Sequence, residues 1–95
     1  MSLEPPLARE KLRRITEYCR YVKVAYRLNT AVPFEVRDQL ARLWEDYIRQ
    51  LPPGVAEREA LAVLGYPQVV PLKDLPRKIR EDPSFARLII EVYGE

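Results

Sequence analysis

Apolar residues recur in the first third of the chain at Ala8, Leu12, Ile15, Cys19, Val22 and Tyr26, in alternating steps of four and three. That spacing is a heptad seam, the mark of a helix buried along one side. A second apolar row, Tyr18, Tyr21, Ala25 and Leu28, runs beside it, so the apolar arc covers about half the helix circumference at 100° per residue. The pattern predicts a helix over residues 6–28, opened by Pro5 and Pro6 and ended by Asn29-Thr30 before Pro33. A second helix is predicted over 33–51, with Val36, Leu40, Leu43, Trp44, Tyr47, Ile48 and Leu51 on its inner side. Asp38–Arg42 and Glu45–Arg49 have acid-first i,i+4 spacing, and Pro52-Pro53-Gly54 stops the helix.

The second half is more broken. A short helix is expected over 55–64, with Gly65 as its left-handed C-cap. Tyr66 to Leu72 reads as an extended connector; Val69-Val70 has the β-branching of a short strand, but Pro67 and Pro71 argue against a central one. Asp74 is positioned to cap a helix over 75–81, and Asp82 another over 83–93 whose apolar face is Phe85, Leu88, Ile89 and Val92. The expected fold is all-α, a single domain over residues 1–95. It is a bundle of four to five helices, the first two long and antiparallel, the last ones short and joined by Pro-rich turns.

Composition narrows the chemistry. The chain of 95 residues has no His and one Cys, Cys19. Catalytic triads, Cys–His pairs, zinc fingers and two-His iron sites all need residues it lacks, so no metal or cofactor is expected. Its three glycines, Gly54, Gly65 and Gly94, are isolated and form no phosphate loop. The carboxylate groupings Glu45-Asp46, Glu57/Glu59 and Glu81-Asp82 suit surface pairing better than general acid–base work, and a non-enzymatic protein is expected. No secretory leader or membrane span is apparent, and the single Cys fits a reducing cytoplasm.

Charge is uneven. Residues 9–27 hold seven basic and two acidic side chains, a balance of +5, whereas the remainder holds nine basic and twelve acidic, a balance of −3. Arg9, Arg13, Arg20 and Arg27 fall within about 40° on a helical projection and span roughly 27 Å. Such a line could meet phosphates or an acidic partner, and equally could be a solvated face. Arg77-Lys78-Arg80 follows a connector too long for a helix-turn-helix and reads as solvated. Cys19 and Trp44 read as core residues.

Two functions are therefore weighed. The leading one is a protein-interaction module, a homodimer or a small subunit of a larger assembly, with Ile15, Val22, Tyr26 or Trp44 at the interface. The alternative is nucleic-acid binding through Arg9, Arg13, Arg20 and Arg27. A small-molecule-binding bundle is a third class, without a convergent polar set visible in the sequence. One Asn, three Gln and nine Pro are the composition of a heat-adapted chain. A thermal scan is expected to place the melting midpoint above about 65 °C, the upper end of the mesophile range; a midpoint within that range contradicts the reading.

Overall fold

The computed structural model describes residues 6–26 and 32–95. Five helices and one hairpin follow in the order α1 (Pro6–Ala25), α2 (Phe34–Arg49), α3 (Val55–Arg58), β1 (Ala60–Ala62), β2 (Val69–Pro71), a 3-10 turn (Leu72–Asp74), α4 (Leu75–Glu81) and α5 (Pro83–Tyr93). The two long helices pack against each other, α5 covers α1 from another side, and α4 lies along α2. Among the described residues no helix is long and apolar enough to cross a membrane.

The heptad seam behaves as its spacing demands. Ala8, Ile15, Cys19 and Val22 are wholly buried, and they join Val36, Leu40, Ala41 and Trp44 of α2 and Phe85, Ala86, Ile89 and Ile90 of α5 in the core. On α5 the buried arc is turned from the expected one. Ala86 and Ile90 are inside, Leu88 is only partly covered and Val92 is exposed, so the face that α5 buries between α1 and α4 is rotated along its whole length. Gly94 follows α5, where a Cβ would lie 2.5 Å from Lys23 Cδ and 3.1 Å from the Cys19 carbonyl oxygen. Only a residue without a side chain allows this close approach.

The segment 55–64 departs from the expected helix. The helix ends at Arg58, and Ala60–Ala62 pairs antiparallel with Val69–Pro71, Leu61 opposite Val70. Alanine and leucine favour helix locally, but tertiary burial overrides that weak preference. Extended backbone turns Leu61 and Val70 inward, Val70 being buried and Leu61 packed against the core. Pro71 sits at the end of a ribbon that has two strands among the described residues, the place where a missing N–H costs least. Gly65 does take a left-handed conformation, φ +93°, though in the hairpin loop and not at a helix end.

Asp82 caps α5 as its spacing suggests, its Oδ1 accepting from the backbone N–H groups of Ser84 and Phe85 at 3.0 and 3.2 Å. Its other oxygen accepts the Tyr66 hydroxyl at 3.1 Å, and the Tyr66 ring meets Phe85 edge-on at 4.8 Å. The hairpin loop is thereby tied to the start of α5. Asp74 makes no capping bond, contrary to expectation; it lies in the 3-10 turn and faces Arg77 at 3.8 Å.

Arg80 of α4 is not a solvated cation either. Its Nε donates to Asp38 at 2.9 Å and its terminal nitrogens grip Glu45 at 2.9 and 3.4 Å. Its carbonyl oxygen accepts from the Arg37 guanidinium, which also donates to the Val32 carbonyl at 3.2 Å. Glu45 is therefore committed to Arg80, and Arg49 pairs with Asp46 at 3.2 Å in place of the expected Glu45–Arg49 pair. The expected Asp38–Arg42 pair forms at 3.1 Å.

The Arg80 hydrogen bond, with help from Arg42, holds the Asp38 carboxyl below its ordinary range. A depressed carboxylate contributes stability above its unfolded value, about 3.9, and loses it as pH falls through the folded value. Asp38→Asn is expected to lower the urea midpoint clearly at pH 7, with the gap to the parent closing below about pH 4. A gap independent of pH would show that the ionised carboxylate is not the stabilising form.

Candidate functional site

Three places carry what the sequence singled out: the arginine line, the apolar sides of α1, and the aromatic cluster around Trp44. The arginine line is exposed on α1 but largely engaged. Arg13 lies 4.0 Å from Glu10 and 3.8 Å from Glu17. Arg20 donates from Nε and a terminal nitrogen to the Glu95 carbonyl at 3.2 and 3.1 Å. Arg9 is exposed, and Arg27 lies outside the described residues. Pairs this open to water contribute only about 0.2–0.5 kcal/mol each, so a stronger acceptor can displace them. Even so, acids within α1 already offset part of the line's charge.

The dimer interface expected at Ile15, Val22 and Trp44 needs correction. All three are covered inside the chain itself, at 0, 0 and 1% exposure. The seam is completed by α2 and α5, and no second molecule is needed to bury it. Of the second row, Tyr21 is 59% exposed and Ala25 is open to solvent, whereas Tyr18 is half-buried and Leu28 lies outside the described residues; Tyr26, from the seam, is 43% exposed, and Val24, on the arginine side, is 86% exposed. Phe34, at the start of α2, is 54% exposed, with the Arg37 guanidinium 5.3 Å from its ring centroid. Tyr18 is half-buried and its ring lies 6.2 Å from that of Tyr21; burial raises its pKa. Of the four interface candidates, only Tyr26 remains at the surface.

Trp44 is the anchor of an aromatic cluster. Tyr47 and Tyr93 meet its ring edge-to-face at 5.7 and 5.2 Å. Burial pushes the Tyr93 hydroxyl up from its ordinary value. The indole N–H of Trp44 is buried with no acceptor among the described residues. An unmet buried donor costs about 1–3 kcal/mol, so its presence in an otherwise satisfied core calls for an explanation. The cluster forms one wall of a cavity of about 600 Å³, open between α1, α2, the hairpin and α5. Sequence reading missed both this cavity and the Arg80 network. The cavity arises from five separate segments, and Arg80 reaches acids 35 and 42 positions away, beyond any local spacing rule.

No group of three or more metal-ligating side chains occurs among the described residues. Cys19 is buried on the seam, and desolvation pushes its thiol up to about 12 despite the opposing pull of Lys23. A thiol so placed is protonated at neutral pH and shielded from reagents. It is expected to react with Ellman's reagent at least ~10³-fold more slowly in native protein than in denaturant at pH 8. Comparable rates would mean that the seam opens readily.

No protein-family model matches this chain, and neither does any curated protein sequence or solved structure.

Proposed function

We propose that the protein is a non-enzymatic helical interaction module that pairs with a second copy of itself through the C-terminal half of α1. The observation that carries this reading is the gathering of exposed apolar side chains on the last two turns of α1, Tyr21, Val24, Ala25 and Tyr26, with a further exposed ring, Phe34, at the start of α2. Apolar side chains gathered in this way mark interaction sites more often than single exposed ones do. Tyrosine and phenylalanine supply large contact area at low entropic cost, as at other protein interfaces.

A second copy fits better than a strongly charged partner. These residues are themselves uncharged, and the +5 carried by residues 9–27 around them is offset in part by the pairs that Arg13 and Arg14 make with Glu10 and Glu17. A two-fold axis near Val24 would set the same patch against itself, as an isologous interface requires. The reading is supported from the negative side by the chemistry of the chain: no His, and one thiol held protonated in the core. A reducing, cytoplasmic setting suits that thiol. Nucleic-acid binding through the arginine line is the weaker reading, because Arg13 and Arg20 already hold acceptors within the molecule.

Sedimentation velocity across a concentration series should show a monomer–dimer equilibrium, and Val24→Glu should shift it at least ~10-fold toward monomer. Val24 is so exposed that the substitution should change stability by no more than about 0.5 kcal/mol. A parent chain that stays monomeric to millimolar concentration would refute the proposal.

A further inference from the structure

Among the described residues the hairpin has two strands, and the main neighbour of β1 in space is β2. The Leu72 N–H donates to the Glu59 carbonyl at 3.0 Å, which fixes the phase of the ladder. Paired and outward-facing backbone groups alternate along an antiparallel strand. Leu61 therefore exchanges its bonds with Val70, while Ala60 and Ala62 aim their N–H and C=O groups away from β2. Neither alanine makes a backbone bond outside the ribbon among the described residues, and both are exposed. The far edge of β2 is blunted by Pro71, which has no N–H to offer. The edge of β1 carries no such guard: Ala60-Leu61-Ala62 is uncharged and free of proline.

Beside that edge opens the cavity of about 600 Å³, which Leu61 lines together with Leu12, Tyr47 and Tyr93 of the helices. Arg58 and Glu59 line it too; both are exposed, and neither is in an ion pair among the described residues. We infer that an extended peptide adds to β1 as a third, antiparallel strand, setting a large apolar side chain into the cavity opposite Leu61 and a basic one opposite Glu59. Side chains alternate across a strand, so these two positions share the cavity face, whereas those opposite Ala60 and Ala62 point away from it and suit polar residues. An acidic residue after the basic one meets Arg58. The outward N–H and C=O groups call for a peptide backbone, and the cavity and Glu59 decide which peptide. This site is separate from the exposed end of α1 and stands whether or not the chain dimerises.

The probe is acetyl-Thr-Phe-Thr-Lys-Glu-amide, whose threonines fall opposite Ala62 and Ala60 and whose phenylalanine falls opposite Leu61. In a proton–nitrogen correlation spectrum of the full chain it should move the Ala60 and Ala62 amide signals saturably downfield, as new hydrogen bonds do. Replacing the probe's phenylalanine by alanine should weaken binding at least ~10-fold, the worth of burying a large apolar side chain. N-methylation of its second threonine, whose N–H faces β1, should weaken binding at least ~10-fold, the worth of a bond lost with its acceptor left unmet. N-methylation of the phenylalanine, whose N–H faces away from β1, should change affinity little. Glu59 is exposed, so Glu59→Lys should leave the fold intact; it should reverse the parent's preference between the probe and its analogue with glutamate in place of lysine. Absence of saturable movement overturns the proposal. Equal losses from the two N-methylations also overturn it, since a ligand held by side chains alone would show no such phase, as does a preference that Glu59→Lys fails to reverse.

Discussion

The buried seam of α1 is covered from two sides, by α2 and by α5. A chain of 95 residues has one modest core with which to meet that demand. The two longest helices are held together by it, and the C-terminal helix must return to α1 closely enough that Gly94 tolerates no side chain. Once α2 and α5 are committed, nothing in the described chain is left to shield Tyr21 and Val24. The exposed patch is thus the remainder of a covering problem that a small domain cannot finish alone.

The same shortage explains the polar reinforcement of α4. A helix of seven residues cannot persist on its own hydrogen bonds. Leu75, Pro76 and Ile79 give it an apolar footing, and Arg80 binds it to two carboxylates of α2. A guanidinium suits this task because its fork reaches Asp38 and Glu45 together, which an ammonium point charge would not do with the same geometry. Half-buried ion pairs of this kind orient an element as much as they stabilise it.

The long-period features were legible in the sequence. Steps of three and four over the first helix and the stripe of the second are redundant signals, each repeated over several turns, and both elements formed within a few residues of their expected ends. The N-cap at Asp82 was equally readable, since a cap and its donors lie within three residues. The hairpin was not. Ala60-Leu61-Ala62 favours helix locally, and what makes it a strand is the inward facing of Leu61 and Val70 across a loop. Three of the four dimer candidates, Ile15, Val22 and Trp44, proved covered for a related reason: periodicity says which side of a helix is apolar, but not whether the same chain supplies its cover. Ile15 and Tyr21 look alike in a helical projection of apolar residues, and only packing separates them.

One carboxylate has a further consequence. Asp82 uses Oδ1 to start α5 and Oδ2 to hold Tyr66, whose ring rests on Phe85. A ribbon of two short strands has little cohesion of its own, so the hairpin borrows persistence from the helix it touches. The region from Ala60 to the first turn of α5 should therefore open and close as a cooperative unit, with amide protons of strand and helix start exchanging at a shared rate. Although the hairpin looks like an appendage in the order of elements, its lifetime is set by the C-terminal helix.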